Sequence, residues 1–349
     1  MRLNYFLYVL FFLFLFSSCD DDKNKSFLPW YIGKPGEVLV VYPSKSTLNA
    51  VNDTLTSYLK EIIQPENPFR PEYAFSVYSI LDKNFSKLQK SHGNIITIHI
   101  ANKYQEPEVE YIKDLWARGQ RVILIKANSN SEVRKLVYKY GEQWVNYFNN
   151  IELSRLVNHY KLYPNKEIKE FVNLNNQIDL NVINSMKIAS FGSDYLWLNS
   201  QRLRNKMTGD ANGGFQNVPH DIIQGIFIYE YPYISDSAFG LNELVNNRNK
   251  FFKSNIKLEK DSAFMVTEMH QGFQPSIDTV TFNKNFAVKL KGMWRTEHDY
   301  MGGVFVSISF LDVTNSKVIC LDSYLYAPKF GKREYLRELE AMLYSYKKL

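Results

Sequence analysis

The sequence predicts a mixed α+β and α/β fold in two parts: an N-terminal α/β layered sheet over 27–165, then a mainly antiparallel sheet with packed helices over 166–349. Three observations predict it. In the first half short apolar runs alternate with helical patterns, and strands alternating with helices build layered sheets. In the second half runs of period-two alternation follow one another across short polar turns, the pattern of antiparallel strands. Between the halves, around Pro164-Asn165-Lys166, the apolar periodicity fades.

Taken in order, Glu37-Val38-Leu39-Val40-Val41-Tyr42 is an apolar run behind a Gly-Lys-Pro-Gly turn and fits a buried strand. Behind it Leu48, Val51, Leu55, Leu59 and Ile62 recur at helical spacing until Pro65 stops the pattern. Further strands are expected over 74–80, 94–100 and 121–126, with helices over 84–90 and 108–118 between them. Val133, Leu136, Val137, Tyr140, Trp144 and Phe148 form the stripe of a closing helix. No nucleotide cofactor is expected, because the glycine turn at 33–36 precedes its strand, whereas a phosphate loop follows one with Gly-x-x-x-x-Gly-Lys-Ser/Thr. His92 and His99 lie seven apart around a strand and so on opposite faces, which excludes a shared metal.

After the junction a short helix over 166–172 precedes strands at 186–191, 195–199 and 225–231, then a helix over 240–252. Strands at 264–268, 277–282, 287–294, 304–310 and 318–326 follow, and a last helix over 333–346 carries Leu336, Leu339, Leu343 and Tyr346 on one face. The polar, glycine-containing stretch between Ser200 and Asp221 reads as a long loop, with Arg202, Arg204 and Lys206 as a solvated basic patch.

The N-terminus is of another kind. Met1-Arg2 followed by an apolar run over 3–16 and Ser17-Ser18-Cys19 resembles a bacterial lipobox; the run is too short to cross ~30 Å of hydrocarbon. Residues 1–18 are then a lipoprotein signal peptide, Cys19 carries the acyl chains, and 19–26 forms a tether beginning with Asp20-Asp21-Asp22. An ordinary secretory signal cut near Ser18 is the alternative. Three acyl chains exceed what stable anchoring needs, so the body is held on a membrane without spanning it. That body, 45% hydrophobic and 22% charged, is of ordinary globular composition. The net charge of +6 comes with no dense Lys/Arg run, so no nucleic-acid partner is expected. With Cys19 acylated, Cys320 stands alone in an apolar strand, a buried small hydrophobe without a disulfide.

Candidate site residues gather at 292–312, read as strand, turn, strand. Arg295, Glu297, His298 and Asp299 crowd the turn, Trp294 anchors it, and Gly302-Gly303 supply positive φ or close backbone approach. Such a hairpin is a solvated loop or a site. Glu268 and His270, at a neighbouring strand end, could join it in acid/base work, but consecutive residues cannot all converge on one ion and no hydrolase motif supports them. Lys332 and Arg333 form a second candidate: cations at a helix start, where the macrodipole favours anions, are offset either by Glu334 or by a bound anionic group.

Gly-Lys-Pro-Gly-Glu-Val-Leu-Val-Val at 33–41, Tyr-Pro-Tyr at 231–233, Gly-Met-Trp-Arg at 292–295, Met-Gly-Gly-Val-Phe-Val-Ser at 301–307, Tyr-Ala-Pro at 326–328 and the run 332–341 occur in this order behind the leader. With them the chain resembles a domain-of-unknown-function family of Bacteroidota lipoproteins, uncharacterised family 4837. The resemblance implies a Bacteroidota cell envelope and favours the outer membrane; it implies no activity. The second half's order of elements also looks like the α/β/α sandwich of PsbP-like and Mog-one-like domains, an analogy of fold alone. The expected function is that of a non-catalytic binding or structural lipoprotein of the outer membrane, with the membrane and an envelope protein or glycan as partners and no cofactor. The alternative is an envelope hydrolase using Glu297, His298 and Asp299.

Overall fold

Strand β1 (Glu37–Tyr42) is buried at every residue after the first, because its neighbours and the layers above and below leave neither face to water. In the computed structural model, which describes residues 27–63, 71–209, 214–256 and 263–349, β1 lies inside a five-stranded sheet of order β2-β1-β3-β5-β4. The leader, Cys19 and the tether lie outside the described residues. Strands β2 (Ser76–Leu81), β3 (Asn94–Ile100) and β5 (Arg121–Ala127) continue the parallel ladder, and β4 (Glu108–Lys113) closes one edge antiparallel to β5. Helix α1 (Lys45–Leu59) starts where the Ser44 hydroxyl accepts the Thr47 N–H and buries Val51, Leu55 and Leu59.

Two expectations are corrected in this half. Residues 108–118 are not helical: apolar residues at 109, 112 and 116 recur at helical spacing, but the chain pairs with the free edge of β5 instead. Asp114 at φ 56° and Gly119 at φ 79° then bend it back, with Gly119 N–H donating to Asp114 Oδ1 at 2.7 Å. The region from 84 to 90 is a 3₁₀ turn followed by the one-turn α2 (Lys87–Lys90).

Helix α3 (Asn130–Leu162) runs 33 residues, well past the stripe ending at Phe148, because no proline intervenes before Pro164. The chain divides into two compact units: residues to Lys60 with Phe75–Trp144, and Glu61–Ala74 with Val145–Leu349.

The larger unit is an antiparallel sheet of order β10-β12-β13-β14-β9-β8-β7, with β11 also on β12. Its strands are β7 (Lys187–Phe191), β8 (Tyr195–Gly209), β9 (Phe215–Pro232), β10 (Phe264–Thr267), β11 (Ser276–Phe282), β12 (Asn285–Glu297), β13 (Gly302–Asp312) and β14 (Lys317–Tyr326). Period-two alternation in β12 to β14 sends side chains to two separate cores. On one face Ile308 and Leu321 meet α4 (Lys166–Asn176) and α6 (Arg333–Tyr344) through Val172, Leu339 and Met342. On the other, Phe227, Trp294, Phe305 and Tyr324 meet α5 (Leu241–Asn255) through Leu244 and Phe252. Helices on both faces make this unit an α/β/α sandwich. The short β6 (Ile178–Asp179) pairs with β15 (Lys347–Lys348) at the C-terminus.

The expected loop between Ser200 and Asp221 is the other correction. It is strand: β8 and β9 stay paired from Tyr195↔Tyr229 out to Gly209↔Phe215. Its polar sequence hid this, because the ribbon has little apolar core to face. Arg202, Arg204 and Lys206 all point from β8 toward the start of α6, where Arg204 Nη1 donates to Tyr335 OH at 2.7 Å and Lys206 Nζ to Lys329 O at 2.8 Å. Arg202 reaches Glu338 at 3.5 Å.

Candidate functional site

The charged hairpin is where the sequence places it, and its turn is built differently. Residues 298–301 make the turn, His298 takes the positive φ of 63°, and Gly302 and Gly303 begin β13 opposite Arg295 and Trp294. What Gly303 supplies is close approach, since a Cβ there would overlap the Leu325 carbonyl and press on the Trp294 indole. Trp294 is 3% exposed and stacks edge-on against Tyr324, so it is core. Arg295 Nη2 meets Glu297 Oε1 at 2.8 Å and its Nε meets Glu268 Oε2 at 3.3 Å, while His270 binds Glu268 from both ring and backbone. Burial alone would raise the Glu268 carboxyl, but those bonds and the Arg295 charge outweigh it and hold it below the usual range. The bond from Arg295 does the same for Glu297. His298 lies against Phe264, and Asp299 accepts the Tyr300 N–H at 2.8 Å. Two depressed carboxylates locked to one guanidinium are poor proton carriers near neutral pH. Among the described residues no group of His, Cys, Asp and Glu could hold a metal ion.

The second candidate is filled by the chain itself. Glu72 brings its carboxylate to the start of α6, where Lys332 N–H donates to it at 2.7 Å and Arg333 N–H at 3.0 Å. Arg333 Nε holds Glu334 at 2.6 Å and its Nη1 the Tyr73 carbonyl at 3.1 Å; Lys332 Nζ turns back to Phe330 O. An anion at the positive helix end is therefore supplied within the chain, by Glu72 with Glu334 held beside it.

Two features escape a reading of the sequence. Asp322, fully buried in β14, receives Arg248 of α5 at 2.8 and 3.2 Å, and Arg248 also donates to Thr267 at 3.0 Å and lies 3.9 Å from the Phe305 ring centre. Burial pushes the Asp322 carboxyl up; the guanidinium and Ser307 pull it back. Cys320, two residues before it, has its thiol pushed up to about 12 by burial, which removes it from nucleophilic chemistry.

The other feature is a groove of about 1200 Å³ at the end of the sheet opposite the hairpin. Phe282, Phe286, Phe310 and Tyr346 line it with Phe239 and Val313. Phe282 and Phe310 stand 5.1 Å apart, and Phe310 and Tyr346 5.6 Å. Asn283 Nδ2 donates to Tyr346 O at 2.9 Å, tying the β11–β12 turn to the C-terminal segment. Lys284, Lys347 and Lys348 bring cations to the lining; Lys348 is held by Asp312 at 2.6 Å, and Asn315 binds the same carboxylate. Ligand pockets commonly measure ~300–1,000 Å³, so this groove is somewhat roomier than most, and it is open while the hairpin charges are paired off.

Residues 165–345 match the family model described as Domain of unknown function (DUF4837). The chain belongs to that family. The DUF4837 match spans the hairpin, the buried pair and all but the last three residues of the groove lining. Residues 32–161 match a second model, Domain of unknown function (DUF8532). No curated protein has a matching sequence. Among solved structures, a point mutant of protein Mog1 is similar over 49% of this chain and 90% of its own, at 10% identity and a TM-score of 0.26, too low to carry any argument here. No helix among the described residues is long and apolar enough to cross a membrane.

Proposed function

We propose that this DUF4837 protein is a non-catalytic binding protein of the cell envelope, carried on the outer membrane by acyl chains on Cys19, and that its binding place is the aromatic groove. The observation that carries the reading is the groove itself: an apolar lining of Phe282, Phe286, Phe310 and Tyr346 beside water, at about 1200 Å³. Phe286 stands 55% exposed at the rim above the buried rings of Phe282 and Tyr346, and a concave, mostly apolar lining with a few polar groups is the usual form of a ligand pocket. Supporting it, the acid/base candidates Glu268, Arg295 and Glu297 are tied to one another at the far end of the sheet. The anchoring rests on the leader and Ser-Ser-Cys, which lie outside the described residues.

The test uses the mature protein and a neutral naphthylamine dye that brightens in apolar surroundings. Binding that disappears in Phe286→Asp, a position 55% exposed and so tolerant of the change, supports the groove. Dye binding that survives the substitution overturns it. For the anchor, wild-type protein is expected in the membrane fraction and Cys19→Ala in the soluble one.

A further inference from the structure

We infer that the groove's ligand is a single-chain anionic amphiphile, a long-chain carboxylate whose tail lies on the phenylalanines and whose head meets Lys284 and Lys347. This rests on the groove being the binding place and adds the ligand's chemistry.

Three observations point to it. The lining is aliphatic as well as aromatic, with Leu311, Val313 and Ile319 beside the rings. A sugar would need hydrogen-bond partners at that depth. Three of the polar side chains in the lining are already engaged: Asp312 with Lys348 and Asn315, Asp236 with Tyr233 OH at 2.6 Å, and Asn283 with Tyr346 O. An acyl chain needs none.

The charges of the lining are unequal. Lys348 and Asp312 neutralise each other across 2.6 Å. Among the described residues neither Lys284 nor Lys347 is in an ion pair, and against the one remaining carboxylate of the lining, Asp236, these two leave the open charge of the groove positive, which complements an anionic head.

The third observation is conformational. Asn283 and Lys284 form the two-residue loop between Phe282 and Asn285, and both have positive φ, 48° and 69°. A turn with two positive φ values favours glycine at its second position, where a lysine is strained. The chain nevertheless carries a long cationic side chain there, on the groove's rim. Strained residues of this sort gather at ligand clamps.

The experiment measures displacement of the naphthylamine dye by laurate and by dodecanol, which share a twelve-carbon chain and differ in the head. Laurate should compete about 10-fold more strongly, the size of one charge-assisted bond. Lys284→Gly should lower laurate to near the level of dodecanol while leaving dodecanol unchanged and raising the thermal midpoint, because it relieves the turn. Lys347→Gln should weaken laurate alone. Equal competition by laurate and dodecanol, or unchanged laurate affinity in Lys284→Gly, overturns the carboxylate while leaving the groove intact as a binding place. Failure of the dye to bind overturns the groove reading, and this inference with it.

Discussion

At its C-terminal end β12 carries Arg295 and Glu297, closed into a cluster with Glu268 and His270; at its N-terminal end it begins at Asn285 and Phe286, on the wall of an open aromatic groove. The first end is rich in titratable groups and the second in apolar ones. The richer inventory of reactive side chains is the less reactive region, because each charge there meets its opposite within about one hydrogen bond. The groove carries Lys284, Lys347, Lys348, Asp236 and Asp312 on its lining, but its apolar wall is unmatched, and unmatched surface is what a ligand can gain by covering.

The largest effect belongs midway between the ends, at the buried pair. Asp322→Ala leaves the Arg248 guanidinium desolvated without its carboxylate and should cost about 3–5 kcal/mol, read as a lower denaturant midpoint. Replacing both residues by Leu and Met should recover much of the loss. A loss below about 1 kcal/mol for Asp322→Ala would mean that the pair is wetter than its geometry says.

Next is the internal cap. Glu72→Ala removes the acceptor of the Lys332 and Arg333 amides and should lower stability by about 0.5–2 kcal/mol, the range of a lost helix cap, with no effect on dye binding in the groove. An unchanged thermal midpoint would free the start of α6 for an external anion after all.

Smaller again is the pH response of the hairpin. Glu268 and Glu297 are held below their ordinary values, near 4.3, in the folded protein. Groups depressed by folding add stability that is present above the unfolded value and lost as pH falls through the folded one. The thermal midpoint should therefore be insensitive to these two groups above about pH 5 and decline below about pH 4.3. Glu268→Gln should flatten part of that decline and leave the pH 7 dye affinity alone. A hairpin response between pH 6 and 8 would instead reveal a proton-active site there and favour the hydrolase.

Much of this architecture was legible from local pattern. β1, β3 and β13 follow directly from apolar runs or alternation, and the stripe Leu336, Leu339, Leu343 finds α6. Pattern fails where an element has little core to face. The outer parts of β8 and β9 are polar along both strands, and edge strand β4 places Val109 and Ile112 at a helical spacing. The hairpin was visible because its residues are consecutive. The groove was not, because its wall is assembled from segments near 239, 282–286, 310–313 and 346–348, brought together only by the sheet. The Arg248–Asp322 pair is 74 residues apart, and an aspartate inside Val-Ile-Cys-Leu-Asp-Ser-Tyr-Leu gives no sign of its partner.

The most direct measurement is backbone hydrogen exchange of the mature protein with and without saturating dye. Slowed exchange at 282–286, 310–313 and 346–348, with 295–303 unchanged, is the result predicted by an open groove and a closed hairpin. Slowed exchange confined to 295–303 would contradict it and move the binding place to the charged end of β12.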